Sequence, residues 1–468
     1  MNEIYLGGSF IEMGESLDVN NPFNGAFIDR CGKAGQKEID KAIVLAQQAG
    51  AELMKLASVQ RYEILHGISN GLLNERKRLA ELLAGECAKP LRYAMGEIDR
   101  AADTFQVAAE ESKRLPREYI ALDWTAAGKG KEGWVRYFPA GIVVAITPFN
   151  FPLNLVAHKV APAIAAGCPI ILKPASAAPL CSLELAKIID QTALPKGAFS
   201  VLPCDRHVGD FLIADSRVAV LSFTGSPEVG WAMKERAGKK KVVLELGGNA
   251  GVLIAGDADL DHAVNRCLMG GFAYSGQVCI HVQRIFVVNG LFEAFCERFL
   301  SRVKALKYGD PLDENTEISC MIDEKNAVRV ETWVERAITG GARLLQGGRR
   351  DGTYYPPTVL TGTNRTMEVN GEEVFGPVVV VEKVDSISEG IRHLNDTRFG
   401  LQAGLFTFDM RSIRKAFEEV EVGGLIINDV PTFRVDHMPY GGIKDSGFGR
   451  EGVKYAIRDY MEAKILVL

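Results

Sequence analysis

Apolar residues between Lys37 and Leu115 recur at three- and four-residue spacing, as at Ile43, Leu45, Leu53 and Leu56, with Pro90 the one proline. That period marks helices with a single buried face. The texture changes at Tyr119. From there to Tyr137 apolar and polar positions alternate around the turn-prone Gly128-Lys129-Gly130, which predicts a β-hairpin. Beyond it, short apolar runs at Gly141–Ile146, Pro169–Leu172, Phe199–Leu202, Val218–Phe223 and Val242–Leu246 read as buried strands with helices between them. Such alternation builds an open parallel α/β sheet. A second series runs from Gly251 to about Ile427, with strand candidates at Arg284–Val288, Ala342–Leu345, Val378–Glu382 and Gly424–Asn428. Met1 to about Gly25 reads as an extended, turn-rich entry. Met461–Leu468 reads as a terminal strand that needs a sheet edge, its own or a neighbouring subunit's.

A chain of 468 residues, 47% hydrophobic and 24% charged, has material for two large domains. With 54 basic against 59 acidic residues and a net charge of −5, no basic excess exists to neutralise a phosphate backbone, so a nucleic-acid partner is not expected. The run Lys239-Lys240-Lys241 reads as a solvated turn before a strand. The most apolar region, Ala140 to Ala175, is broken by Pro148, Pro152, Pro162 and Pro169, and the first residues lack an apolar stretch of signal-peptide length. A cytoplasmic protein with no membrane partner is therefore expected. Nine cysteines without a paired CxxC suit reduced thiols better than disulfides or a metal site, and no metal is expected.

Three segments carry candidate chemistry. Gly276-Gln277-Val278-Cys279-Ile280 places a cysteine after a turn-prone stretch. Alone, such a residue is ordinarily a small buried apolar group, and it becomes a nucleophile only where its thiolate is stabilised. Leu244-Glu245-Leu246-Gly247-Gly248-Asn249 puts a carboxylate at the end of an apolar strand, costly unless paired or used, before two glycines that permit close backbone approach. Ile146-Thr147-Pro148-Phe149-Asn150-Phe151-Pro152 sets one amide between aromatic residues and prolines, either as a turn former or as a rigid oxyanion donor.

Together these segments resemble the aldehyde dehydrogenase superfamily, from near Val19 to the C-terminus. Further matches are Ile171–Ser176, Phe223-Thr224-Gly225-Ser226, Glu372-Glu373-Val374-Phe375-Gly376-Pro377, Pro439–Gly442 and Ser446–Glu451. The resemblance implies an aldehyde dehydrogenase-like fold of two open α/β domains with a β-hairpin oligomerisation arm. The dinucleotide-binding domain would comprise residues 1–118, 139–246 and 431–454, the catalytic domain 247–430, and the arm 119–138 with 455–468. It implies Cys279 as nucleophile, Asn150 with the Cys279 N–H as oxyanion donors, and Glu245 as the base that activates water. The cofactor, NADP or NAD, would lie along Ile146, Thr147, Pro148, Phe149, Lys173, Ser176, Gly225, Ser226, Val229, Leu246, Glu373 and Phe375. Its phosphates would meet the helix N-terminus near Ser226. Members restricted to NAD often carry glutamate where Ser176 stands, so serine implies that NADP is accepted. Asp205 and Arg206 would add attraction or repulsion of unassigned direction.

For the substrate, the resemblance points to Phe151 and Tyr440 as aromatic walls and to Arg100, His158 and Arg434 near the tunnel. The arginines would suit an anionic group on a small, hydroxylated or anionic aldehyde. Alternatively, Arg100 pairs with Glu97, Arg434 with Asp436, and His158 is a packing residue. The stretch Asn428–Arg434 through Lys444-Asp445-Ser446 resembles the lactaldehyde, non-phosphorylating glyceraldehyde-3-phosphate and phosphonoacetaldehyde dehydrogenase subgroup. Asn249 and Phe149 depart from the family's usual lysine and tryptophan. Two rival readings are a CoA-acylating dehydrogenase, which usually lacks the glutamate, and a non-catalytic structural relative. A homodimer or homotetramer is expected.

Overall fold

The computed structural model describes residues 2–468; Met1, the first residue of the expected entry segment, lies outside them. The helical period of the first third resolves into Gln36–Lys55, Ser58–Asn74, Arg76–Cys87 and Leu91–Ser112. In the last of these, Ala94, Ile98, Ala101, Ala102, Phe105, Ala108 and Ala109 form the buried face, so the three- and four-residue spacing becomes packing.

The first sheet has eight strands in the order Phe10–Glu12, Glu3–Tyr5, Phe199–Val201, Ile170–Lys173, Ile142–Ile146, Val218–Thr224, Lys241–Glu245, Gly447–Phe448. Its central strands are parallel, as the apolar runs predict, and its edges are antiparallel. The entry segment is thus not merely extended, because two of its strands close one side of this sheet. In Ile142–Ile146, Val143 and Ala145 join the core on one face, and Ile142, Val144 and Ile146 the core on the other. Burial of each such Val or Ile side chain contributes roughly 1.5–3 kcal/mol.

The second sheet has seven strands in the order Arg343–Gln346, Thr358–Thr361, Val378–Val384, Arg284–Val288, Gly251–Ile254, Gln402–Phe406, Gly424–Ile427. All its pairs are parallel except the Arg343–Gln346 edge. The strands Gly251–Ile254, Thr358–Thr361 and Gln402–Phe406 are not among those the pattern predicts.

The hairpin forms between Arg117–Ala121 and Glu132–Pro139, and the terminal strand Met461–Val467 pairs with the latter, in its own chain. The resulting three-stranded sheet exposes Tyr119, Trp134, Ile465, Leu466 and Val467. No helix among the described residues is long and apolar enough to cross a membrane.

Candidate active site

Parallel strands send their carboxyl-end loops to one edge, where open α/β sheets place ligands. In the first sheet the register fixes the order along that edge: Lys173 beside Ile146, Ile146 beside Phe223, Thr224 beside Glu245. The second sheet offers its opposite end, with residues 246–250, 277–283 and 372–377 leading into its strands. The two sets of loops enclose a cavity of about 570 Å³ lined by Pro148, Phe149, Asn150, Gly225, Ser226, Leu246, Cys279, Glu373 and Phe375. A cavity of about 210 Å³ lies at the Lys173 end, against Ile146, Arg206, Phe223 and Val229.

Cys279 is delivered by a strained turn. Tyr274, Ser275 and Gly276 have φ of 50°, 53° and 68°. Left-handed conformations cost non-glycine residues of order 1–3 kcal/mol each and persist where surrounding structure imposes them. Here the Tyr274 hydroxyl donates to the Cys87 carbonyl at 2.9 Å and the Ser275 hydroxyl to the Ser319 carbonyl at 2.6 Å. Gly276 has no room for a side chain, as a Cβ would stand 2.1 Å from the Gly376 oxygen. Gly247 and Gly248 serve close approach too: a Cβ on the first would meet the Glu373 carboxylate at 2.2 Å, and on the second the Cys279 carbonyl at 2.3 Å. Gln283 ties the cysteine loop to the Glu373 loop. Its amide donates to the carbonyls of Val369 and Glu372 at 3.0 and 2.7 Å and accepts from the Val374 N–H at 2.9 Å.

The half-buried Cys279 sulfur lies 3.3 Å from the Tyr440 hydroxyl. Burial pushes its thiol up to about 11; the Tyr440 hydrogen bond and Arg434 act against that, while Glu373 and Glu245 add to it. Only the thiolate reacts, so alkylation of Cys279 by iodoacetamide in the apoprotein, followed by peptide mass mapping, is expected to quicken about tenfold per pH unit between pH 7 and 9. A rate flat over that range contradicts this electrostatic picture.

The Asn150 side chain is buried, and its amide donates to the Gln277 carbonyl at 3.0 Å, with no second acceptor among the described residues. Both carboxylate oxygens of Glu245 are buried without a hydrogen-bond partner among the described residues. Burial raises its carboxyl well above the usual range and Glu451 adds to this, against Arg434, Lys159 and Arg450. Burial opposes ionisation of Glu451 as well, but Lys159, His158 and Arg434 outweigh it and take that carboxyl down to about 2. An unsatisfied buried carboxylate contributes nothing to stability, and perturbed groups of this kind gather at functional sites.

The profile of the aldehyde dehydrogenase family matches residues 10–466. The chain belongs to the aldehyde dehydrogenase family. It is accordingly an enzyme, an oxidoreductase. It is 42% identical over 466 residues to a 3-sulfolactaldehyde dehydrogenase of Priestia aryabhattai, covering 99% of this chain and 97% of that one. Its fold is similar to aldehyde dehydrogenase 21 of Physcomitrella patens, solved with the reaction product succinate (TM-score 0.98, 45% identity, 100% of this chain and 98% of that one). It is also similar to a glyceraldehyde-3-phosphate dehydrogenase of Methanocaldococcus jannaschii, solved with NADP (TM-score 0.92, 38% identity, 97% and 100% covered).

In this aldehyde dehydrogenase, most residues expected along the cofactor lie in the two cavities. Ser226 caps the helix Pro227–Arg236 without a side-chain capping bond, which leaves the first-turn N–H groups open at the cavity wall. Phe375 holds φ 47° and meets Phe149 edge-on at 6.0 Å. Glu373 accepts the Gly248 N–H at 3.0 Å. Thr147 is buried, with its hydroxyl unpartnered among the described residues, and Ser176 is exposed on the loop after Ile170–Lys173; neither lines either of these two cavities. Asp205 pairs with Lys33 at 2.7 Å and Asp210 with Arg236 at 3.2 Å, so Lys173 and Arg206 leave the smaller cavity with a positive balance.

The substrate candidates form one buried network. Arg434 lies 3.7 Å over the Tyr440 ring, donates to Glu451 at 2.9 Å and stands 3.1 Å from His158 Nε2. His158 and Arg100 both meet Asp436 at 2.7 Å. The alternative pairings therefore need correction. Arg100 binds Asp436 rather than Glu97, and Arg434 binds Glu451 rather than Asp436. The reason is that Glu97 turns inward to Lys89, and Asp436 is already taken by His158 and Arg100. Phe151 packs edge-on to Tyr274 at 6.5 Å and, with Tyr440, beside Cys279.

Sequence reading missed Lys89, Glu97, Gln283 and Lys159. A usable signal existed for Lys159, the one formally charged residue of the wholly buried helix Asn154–Ala166, which binds Glu451 at 3.1 Å. Among the described residues no cluster of His, Cys, Asp or Glu suits a metal ion.

Proposed function

We propose that this dehydrogenase oxidises a small anionic aldehyde to the carboxylic acid through a thioester on Cys279, with NADP accepted alongside NAD. The observation that carries the reading is one cavity wall holding a cysteine and an amide with one hydrogen bond and, close by, a carboxylate with no partner among the described residues. The open N–H groups after Ser226 and the cations Lys173 and Arg206 fit the phosphates of the dinucleotide, which when bound supplies the hydride acceptor. The Cys279 sulfur adds to the carbonyl carbon. The oxygen's negative charge is met by the second N–H of Asn150 and by the Cys279 backbone N–H. Loss of hydride leaves the thioester. Glu245 then takes a proton from water, the hydroxide adds to the thioester carbon, and the thiolate departs with release of the acid.

Arg434 stacks on the ring whose hydroxyl touches the nucleophile, so the far end of a short aldehyde comes within its reach. Its Nε is buried without a partner among the described residues, which suits an incoming acceptor. The relatives named for 3-sulfolactaldehyde and glyceraldehyde-3-phosphate, and the one solved with its product succinate, support a substrate bearing an anionic group. The exposed aromatic and aliphatic residues of the three-stranded sheet are read as a contact for a second copy of the chain.

The test is NAD(P)H formation over a panel of anionic and neutral aldehydes, with each cofactor, with and without CoA. Turnover of the anionic members without CoA is expected. Arg434→Gln is expected to raise KM for them by roughly 10–100-fold, the worth of a charge-assisted hydrogen bond, while neutral aldehydes change little. Preference for long neutral aldehydes, or product only with CoA, overturns the reading.

A further inference from the structure

Lys89 is fully buried at the junction of the helices Arg76–Cys87 and Leu91–Ser112, directly after Ala88 in a left-handed conformation (φ 52°). Its ammonium donates to Glu97 and, at 2.5 Å, to the backbone carbonyl of Asn150. It also lies over two ring faces, Phe151 at 3.8 Å and Tyr274 at 4.5 Å. The other oxygen of Glu97 accepts the N–H groups of Leu153 and Asn154 at 2.9 and 3.1 Å, at the start of the helix that follows the Asn150 loop. Two residues before Lys89, the Cys87 carbonyl receives the Tyr274 hydroxyl. This short segment therefore grips both halves of the active site: the loop that presents the Asn150 amide and the turn that presents Cys279.

Stability alone is a poor account of such a pair. Desolvating two charges offsets most of their attraction, and apolar or neutral groups of similar volume commonly do as well. Position is a better account, because a reacting group displaced by about 1 Å loses rate steeply.

We propose that Lys89, held by Glu97, is a positioning residue that sets where the Asn150 amide stands against the Cys279 turn. It touches no reacting atom and acts through Asn150. The inference rests on the proposed aldehyde oxidation, in which Asn150 bonds the oxygen of the thiohemiacetal.

The test is the pre-steady-state burst of NAD(P)H in four proteins: parent, Lys89→Met with Glu97→Gln, Asn150→Ala, and the triple variant. Methionine keeps the length of the lysine stem, and glutamine keeps the acceptor for Leu153 and Asn154. The paired substitution is expected to slow the burst on the order of 100-fold, with KM for the cofactor unchanged. In the Asn150→Ala background the same substitution is expected to cost no more than about twofold, since residues acting as a unit are not additive. Should the pair not fold, Glu97→Gln alone removes only the countercharge and is expected to slow the burst roughly tenfold, again only where Asn150 is present. An unchanged burst, or the same loss with and without Asn150, overturns the inference while leaving aldehyde oxidation intact. A parent with neither burst nor turnover on any aldehyde overturns both.

Discussion

Cys279→Ser is expected to lower kcat on the order of 10⁴-fold or more while the protein melts close to the parent temperature, as removal of a nucleophile does elsewhere. A serine hydroxyl is far weaker as a nucleophile than a thiolate. The buried base candidate Glu245 is itself pushed toward its protonated form. The fold has little to lose. Oxygen for sulfur preserves the hydrogen bond to Tyr440, and the turn through Tyr274, Ser275 and Gly276 is held by contacts that do not involve the side chain at 279. Steady-state assay and a thermal melt on the same preparation check both halves, and parent-like turnover would remove the nucleophile from the account.

Glu245→Gln is expected to separate the two chemical stages. The first turnover, which uses Cys279 and Asn150, proceeds and gives a burst of NAD(P)H equal to the enzyme present. Steady turnover then falls by about 10²–10⁴-fold, the range for loss of a positioned base. The pH dependence follows from the sign of the shift. The Glu245 pKa is raised, and water is activated only by the ionised form, so parent kcat rises as pH climbs through that titration. The glutamine variant loses this limb. Because both carboxylate oxygens lack partners among the described residues, the amide forfeits no hydrogen bond seen there, and the melting temperature is expected to hold or rise.

The three candidate groups each sit in a locally odd segment, a carboxylate ending an apolar strand, an amide among prolines and a cysteine after glycine, but only the resemblance to the aldehyde dehydrogenase family set them above ordinary buried or turn residues and gave them the roles proposed above. The sheets were legible from local pattern, since Ile142–Ile146 and Val378–Val384 are long enough to declare themselves. What stayed hidden is non-local. Lys89 and Asn150 are 61 positions apart, and Arg434 and His158 are 276 apart. No spacing rule announces that Glu97 turns to Lys89, or that Asp436 serves His158 and Arg100 and leaves Arg434 to Glu451. The reading of Ser176 came from the resemblance, and beside it stand the positive charges of Lys173 and Arg206 at the smaller cavity, with Asp205 paired to Lys33 from another part of the chain.

The most direct test of the covalent route is mass spectrometry of Glu245→Gln after mixing with a turnover-competent aldehyde and NADP. The account predicts an added acyl group, one per chain, on the peptide containing Cys279 and lost on treatment with hydroxylamine. Acid production with no adduct on any peptide, or an acyl group carried by another of the nine cysteines, would contradict it.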